Sequence, residues 1–368
     1  MRVLIVGGGI AGLCLAHALG EMPIEVDLVE VKSAWTVYGV GIIQQSNVIR
    51  AMSQLGILDE YLGASFPFDN VSTYDARGKL IAKFPTPRLA GPEFPANLGI
   101  SRLALHNVLV KVARSRGANI RTGCSVNAIS QGSAIAHVTF SDGTAHDYDL
   151  VVGCDGAHSK VRNLLFGDVK PRLTGQSVWR YNFRRPEEID HLAAFYGPKG
   201  NAGLVPLASD LMYMFLTTTE PDNPRLPADQ LHLLMQERLS DFGGIIAELR
   251  PKIADPAGVI YRPLEYYFAP EWYRGRVLLI GDAAHTTTPH LGHGAGMAIE
   301  DALVLKLELA KEKSMENVLS SFVSRRFERC KFISELSVRV GDWEKEHTHQ
   351  RERIAAINQG LECVSLPV

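Results

Sequence analysis

The chain has no apolar run of membrane-spanning length, no CxxC pair and no excess of either charge. A spanning helix needs roughly 20 consecutive apolar residues, so no transmembrane segment is expected. The five cysteines, Cys14, Cys124, Cys154, Cys330 and Cys363, are odd in number and irregularly spaced. That pattern argues against a disulfide framework and against any metal site, and it sets the expectation of a reducing, cytoplasmic compartment. A formal net charge of −2 and a pI near 6.6 give no electrostatic reason to expect a nucleic-acid partner. Neither an internal repeat nor a low-complexity stretch is present. A strand pattern begins at Val3, which leaves no signal peptide to expect.

What the chain does have is core and glycine turns. With 368 residues and 46% hydrophobic content it supports two intimately packed domains rather than independent modules. Val3-Leu4-Ile5-Val6 is a continuous apolar run, as in a parallel strand buried on both faces. Gly7-Gly8-Gly9-Ile10-Ala11-Gly12 follows, then a proline-free helical pattern to Leu19. In such a turn Gly7 permits the sharp bend, Gly9 lets backbone N–H groups approach a pyrophosphate, and Gly12 lets helix and strand pack closely. Glu30, at the end of the next apolar run, stands about 20 residues on, where an acid bonds a ribose hydroxyl. An adenine dinucleotide fits residues 1–32, although this turn alone does not separate FAD from NAD.

Two further segments end a strand on an aspartate: Leu150-Val151-Val152-Gly153-Cys154-Asp155-Gly156, and Val277-Leu278-Leu279-Ile280-Gly281-Asp282. Open α/β sheets bind ligands at such carboxyl ends. After Asp282 comes Ala283-Ala284-His285, then Pro289-His290-Leu291-Gly292-His293-Gly294 and a helical pattern from Met297. A second glycine-rich loop opening a second helix makes a second anion site, suited to the pyrimidine edge of a reduced flavin. The simpler reading of both aspartates is that each caps the helix that follows.

With these motifs in order, the chain resembles the single-component, class A flavoprotein aromatic hydroxylases, the family of para-hydroxybenzoate and salicylate hydroxylases. The resemblance also rests on Ile100-Ser101-Arg102-Leu103 leading to Leu105 and Leu109, and on Arg162 after the Asp155-Gly156 turn. It implies an α/β fold: a Rossmann-like FAD domain of the para-hydroxybenzoate hydroxylase type, an inserted antiparallel substrate sheet and a helical C-terminus. It implies that Gly7, Gly9, Ala11 and Gly12 hold FAD, that Glu30 binds the adenosine ribose, that Arg102 contacts FAD and that Asp282 bonds the ribityl chain. Gly41, Val126, Gly292, Gly294 and Ala295 are implied cofactor contacts too. Asp155 is implied to lie near the FAD pyrophosphate and to assist reduction by NADH or NADPH. The implied reaction captures O2 as a flavin C4a-hydroperoxide and transfers a hydroxyl group to a small aromatic or heteroaromatic substrate.

Three positions depart from the family pattern. His293 stands where Gln is common, Gly296 where Asn is frequent and Cys154 where Ala is usual. Cys154 reads as a buried, inert thiol. Gly296 reads as the loss of one side-chain contact to the flavin ring.

The organisation reads as interleaved: a cofactor domain from 1–70, 98–170 and 270–310, a substrate domain from 71–97 and 171–269, and a helical region at 311–368. Strands are expected at Val178–Phe183, Ala193–Tyr196, Gly203–Pro206, Met212–Thr217 and Val259–Tyr266, with one helical stretch from Pro227 to Leu249. The charge run Trp343–Arg353 reads as a solvated helix face, with a dimer contact as the alternative, so both a monomer and a homodimer are compatible with the sequence.

Hydroxylation of a phenol or hydroxy-heterocycle is faster on the deprotonated ring, which calls for a base within hydrogen-bond reach. His290 is the candidate, because it follows Pro289, the proline whose carbonyl the resemblance places beside the flavin. The alternative is a loop-shaping histidine. His285 and His293 read as structural. Tyr213 is a candidate donor to the substrate, or a core tyrosine. Arg180 and Arg184 are candidates for a substrate carboxylate, or for surface pairs with Glu187, Glu188 or Asp190. Other outcomes on the same scaffold are epoxidation, Baeyer–Villiger insertion and desaturation, although the FxGxxxHxxxW and WxWxIP signatures are absent. A flavin-binding redox sensor without turnover is the non-enzymatic alternative. Gly197, Gly200 and Gly203 are followed by no helical pattern, so no second dinucleotide turn is expected.

Overall fold

The apolar run at Val3 becomes the centre of a six-stranded sheet in the computed structural model, which describes residues 1–35, 40–311, 314–346 and 350–368. Arg2–Val6 lies between Glu25–Glu30 and Leu150–Gly153, and all three run parallel. Asn119–Thr122 and Val277–Leu279 extend the sheet in parallel on either side, and only Tyr273–Arg274 at the edge is antiparallel. Val3, Leu4 and Ile5 are fully buried because helices cover both faces, which is why this strand reads as unbroken apolar sequence. One covering helix, Ile10–Leu19, is buried along almost its whole length.

The second sheet has seven strands in the order Ile260–Phe268, Arg172–Arg184, Leu211–Thr219, Gly200–Pro206, Leu192–Tyr196, Asn70–Asp75 and Leu80–Pro85. All neighbours are antiparallel except Leu192–Tyr196 with Asn70–Asp75. Successive side chains of a strand point to opposite faces, so register assigns each residue a side. Trp179, Phe183, Met212, Met214 and Leu216 form one face, which packs on the helices Leu231–Arg238 and Gly244–Leu249. Arg180 opposite Phe215, and Asn182 opposite Tyr213, form the other face, toward the nucleotide-binding half.

The helix expected over 227–249 is broken in two. Gly244 adopts φ +57°, and Gly243 N–H donates to Ala76 O at 2.7 Å. A Cβ at Gly243 would lie 3.0 Å from Arg77 O, so the hairpin turn at Asp75–Lys79 packs where a continuous helix would run.

Three helices, Gly294–Leu309, Met315–Lys345 and Gln350–Ser365, complete the chain. No helix among the described residues is long and apolar enough to cross a membrane. The first two of these helices are joined by buried charge. The Arg326 guanidinium donates to Asp301 at 2.8 Å, to Glu300 at 2.9 Å and to Met297 O at 3.1 Å, and Arg329 donates to Glu300 at 3.0 Å. Asp301 also accepts the Gly281 N–H at 2.9 Å and lies 2.6 Å from His285 Nε2. Burial alone would raise the Asp301 carboxyl, but the His285 and Arg326 charges bring it down to about 2. His285, Asp301 and Cys330 present ligand atoms close together. Arg326 nevertheless occupies Asp301 and lies 3.4 Å from Cys330 Sγ, so a fixed cation already fills the place a metal would need.

Removing that cation leaves two buried carboxylates short of a partner. Arg326→Met should cost about 3–5 kcal/mol of unfolding free energy. Urea melts check this, and a midpoint equal to wild type at equal slope would refute it.

Candidate active site

At Gly7 the backbone turns with φ +110°, and a Cβ there would lie 2.5 Å from Cys154 O. The glycine therefore admits the Asp155 turn beside the first one. A Cβ at Gly12 would lie 2.0 Å from Gly7 O, so helix and turn touch through backbone. Gly9 differs, because a Cβ there meets nothing within 4 Å. The helix Ile10–Leu19 starts at Gly9 without a side-chain cap, so its first N–H groups face open space. Ala11 sits in that first turn. Glu30 accepts from Gly8 N–H at 2.8 Å and from Lys32 N–H at 3.0 Å. An ionised carboxylate offers about four acceptor sites, which leaves two for ribose hydroxyls.

The second anion site has the same construction. Gly281, at φ +59°, lets its turn pass between the two helices, and a Cβ there would lie 3.1 Å from Ala11 Cβ and 3.3 Å from Ala298 Cβ. The helix Gly294–Leu309 begins at His293 without a side-chain cap, after Gly292 in the left-handed conformation, with Gly294 and Ala295 in its first turn. Asp282 between them is open to solvent, yet protein surrounds it closely enough that burial raises its pKa, against the pull of His285 and Arg102. A side chain both wet and enclosed lines a cleft. Two uncapped helix N-termini, two carboxylates and Arg102 along one cleft fit the anionic groups and hydroxyls of FAD.

Two expected contacts take a different form. The Asp155 carboxylate accepts from Ser159 Oγ, Lys160 N–H at 2.7 Å and Val161 N–H at 3.0 Å. It holds the start of the helix Lys160–Phe166, which occupies three of its roughly four acceptor sites, so capping is the role that the geometry gives this side chain. Val126 is fully buried, with its side chain in the core. Arg162 turns out to join the two aspartate turns. Its guanidinium donates to Ala157 O at 2.7 Å and to Ala283 O at 3.0 Å, and it lies 4.3 Å from the Tyr267 ring centroid. Its place in the motif marked it, but no local pattern shows the bridge.

Gly296 is also reassigned. A Cβ there would lie 2.9 Å from Val48 Cγ2 and 3.5 Å from Asn47 Nδ2, so the position is small because the helix Ser46–Gln54 packs against it. Cys154 is buried, and desolvation pushes its thiol well above the ordinary range.

The sheet face toward this cleft carries Arg180 and Tyr213. Tyr213 is 4% exposed and stacks on Gly41, where a Cβ would lie 2.2 Å from its ring. Burial raises the Tyr213 phenol, against the pull of Arg180 and Arg102, which keeps it a neutral donor. Burial and then the Arg102 charge push Arg180 down to about 10, and its electrostatic neighbours among the described residues include no carboxylate. Arg184 shares this face by alternation, but it stands at the strand end and is exposed to solvent.

His290 does not stand where a base is needed. Its side chain is 1% exposed and lies against the helix Met315–Lys345, 3.5 Å from Glu344. Neither ring nitrogen has a hydrogen-bond partner among the described residues. A general base must reach the proton it removes, so the expectation for His290 is corrected to a loop contact. The charge run beyond it is a solvated face in part, with Glu346, Arg351 and Glu352 exposed. Glu344 and Arg353 are 13% and 15% exposed and pair with each other, although 347–349 lie outside the described residues.

Gly9→Val should leave the FAD-free protein as stable as wild type, since the added atoms meet open space, yet weaken FAD binding by at least about tenfold by filling the pyrophosphate cradle. Titration of the apoprotein by flavin fluorescence checks this, and unchanged affinity would remove the site. A second expectation concerns acid. Burial, against the weaker pull of Glu300, lowers His293 from 6.5 to about 4, so the unfolded chain takes up a proton that the folded one refuses. Stability is complete above pH 6.5 and falls as pH drops toward 4, by up to about 3 kcal/mol. His293→Gln should flatten the pH dependence of the melting temperature in that window, and identical profiles would contradict it.

Comparison with known proteins agrees with this geometry. A family model described as an FAD binding domain matches residues 1–335. The 2-heptyl-3-hydroxy-4(1H)-quinolone synthase of Pseudomonas aeruginosa is 34% identical over 353 residues, covering 94% of this chain and 90% of that protein. Aurachin C monooxygenase/isomerase of Stigmatella aurantiaca is 31% identical over 351 residues, with 94% and 90% covered. In structure, HpxO of Klebsiella pneumoniae, solved with FAD and uric acid, superposes with a TM-score of 0.87 at 23% identity, covering 100% of this chain and 97% of that one. The cleft with its two helix N-termini and the family match over most of the chain lead to one assignment: this chain belongs to the FAD-binding-domain family and is an FAD-dependent monooxygenase of the aromatic-hydroxylase type.

Proposed function

We propose that the protein uses NADH or NADPH and O2 to hydroxylate a small N-heteroaromatic ring of the hydroxyquinoline or quinolone kind. The observation that carries this reading is that Arg180 and Tyr213, on neighbouring strands, share the cleft face of the seven-stranded sheet within electrostatic reach of each other. A relative named as a 2-heptyl-3-hydroxy-4(1H)-quinolone synthase supports the ring class. Bound FAD, once reduced by the nicotinamide, supplies oxygen activation and hydroxyl transfer.

The chain's own residues have three tasks. Tyr213, neutral, donates one hydrogen bond to a carbonyl or oxyanion on the ring. Arg180, with Arg102 near it, makes the cleft positive and favours the deprotonated form of an acidic ring hydroxyl or N–H. This activates the ring without a dedicated basic side chain, and the proton leaves to solvent. The apolar flank, Phe215 and Leu207, limits water around the reacting ring.

In a panel of phenols, hydroxybenzoates, hydroxypyridines and quinolones, the last two classes should stimulate NAD(P)H oxidation most. Arg180→Met should raise KM by about 10–100-fold, since a hydrogen bond to a charged group contributes about 1.5–3 kcal/mol. Tyr213→Phe should raise it by less. Steady-state kinetics check both. NAD(P)H consumption indifferent to every compound would favour a redox sensor, and an unchanged KM in Arg180→Met would remove the anion from the reading.

A further inference from the structure

We infer that one face of the helix Met315–Lys345, made by Ser337, Gly341 and Glu344, positions the Thr288–Leu291 turn and thereby sets the wall of the cleft beside the flavin. The inference rests on the flavin-hydroxylase reading and adds positioning residues to it from a part of the chain that carries none of the cofactor motifs.

Residues 337, 341 and 344 are spaced four and three apart, so they share one side of a helix. Each touches the turn in a different way. Ser337 Oγ donates to Thr288 O at 2.7 Å, lies 2.9 Å from Thr288 Oγ1 and accepts from Leu291 N–H at 3.4 Å. Gly341 is the closest approach. A Cβ there would lie 2.6 Å from His290 Cε1, 3.0 Å from His290 Nδ1 and 2.7 Å from Gln176 Oε1. Glu344 lies 3.5 Å from His290 Nε2 with one oxygen and 3.3 Å from Arg353 with the other. One residue further, Lys345 donates to Thr174 O at 2.7 Å, which ties the same helical turn to the strand that carries Arg180.

Glycine is the informative choice. In the interior of a 31-residue helix it costs about 1 kcal/mol relative to alanine, so the helix alone would be better served by alanine. Space explains it, because the His290 ring occupies the volume a methyl group would take. His290 in turn has no hydrogen bond from the described residues to anchor its ring, so packing against Gly341 and the charge of Glu344 fix where it sits. Movement of that ring must move its own backbone or its neighbour Pro289, since the side chain is enclosed. A displacement of about 1 Å at a reacting centre can cost on the order of a hundredfold in rate.

The test is Gly341→Ala in the full-length, FAD-loaded protein, alone and combined with His290→Ser. The single variant should stay folded and melt within a few degrees of wild type, since the helix gain of about 1 kcal/mol from alanine offsets part of an overpacking cost of about 1–3 kcal/mol. It should bind FAD within about twofold of wild type, because both anion sites are untouched. Its bound flavin should nevertheless show a shifted visible absorbance and circular dichroism spectrum, and product formed per NAD(P)H should fall at least about twofold. Adding His290→Ser removes the clash with the imidazole and leaves only the end of the flexible Gln176 side chain to give way, so both quantities should return to those of His290→Ser alone. The flavin spectrum needs no turnover, so it decides the positioning claim even if wild type hydroxylates nothing, a result that would remove the hydroxylase reading alone. A Gly341→Ala flavin spectrum identical to wild type would overturn the inference, as would a shift that His290→Ser leaves in place.

Discussion

The cleft depends on one close approach, the meeting of the helices Ile10–Leu19 and Gly294–Leu309 across Gly281. Only small groups stand between them: Ala11, Ala298 and a glycine whose φ of +59° no β-branched residue would accept. Because the helices come this near at their starts, two sets of unpaired N–H groups open on the same space. Larger residues at these positions would separate the two anion sites and leave a dinucleotide with one anchor instead of two.

Holding the second helix there requires buried charge. Asp301 takes the Gly281 N–H, and Arg326 holds Asp301 from the long helix behind, so the aspartate turn is fixed by a residue more than forty positions later in the chain. Arg162 does the corresponding work from the other side by donating to the carbonyl of Ala283. Both arginines act where a planar fork can satisfy several acceptors at once, which lysine cannot reproduce. The cofactor turns are therefore set by groups that touch no cofactor.

The seven-stranded sheet divides its labour by alternation. Its outer face is apolar and buries itself under two short helices, while its inner face carries arginine, asparagine and tyrosine into the cleft. Arg180 there has no carboxylate among its electrostatic neighbours in the described residues, and a half-buried cation in that state favours an anion. The same face is joined to the C-terminal helices through Lys345 and Arg353, the latter 5.6 Å from the Tyr196 ring. A segment that reads as a charged surface is in this way part of the wall.

The sequence by itself determined what short-range backbone chemistry requires. A turn that must bend, a helix that must touch a strand and a strand buried on both faces each demand residue types at fixed offsets, so Gly7, Gly12, the apolar run at Val3 and the Gly281-Asp282 turn were all legible. Strand alternation likewise marked most of the substrate sheet. Tertiary structure decided where side chains point across distances no local pattern records. His290 packs against Gly341, and Gly296 is small for Val48. The helix expected before Leu249 breaks because a hairpin from residue 75 arrives against it. In each case the deciding neighbour is at least several residues away and often on another element, and packing between such partners depends on shape and volume that neither partner's own flanking sequence encodes.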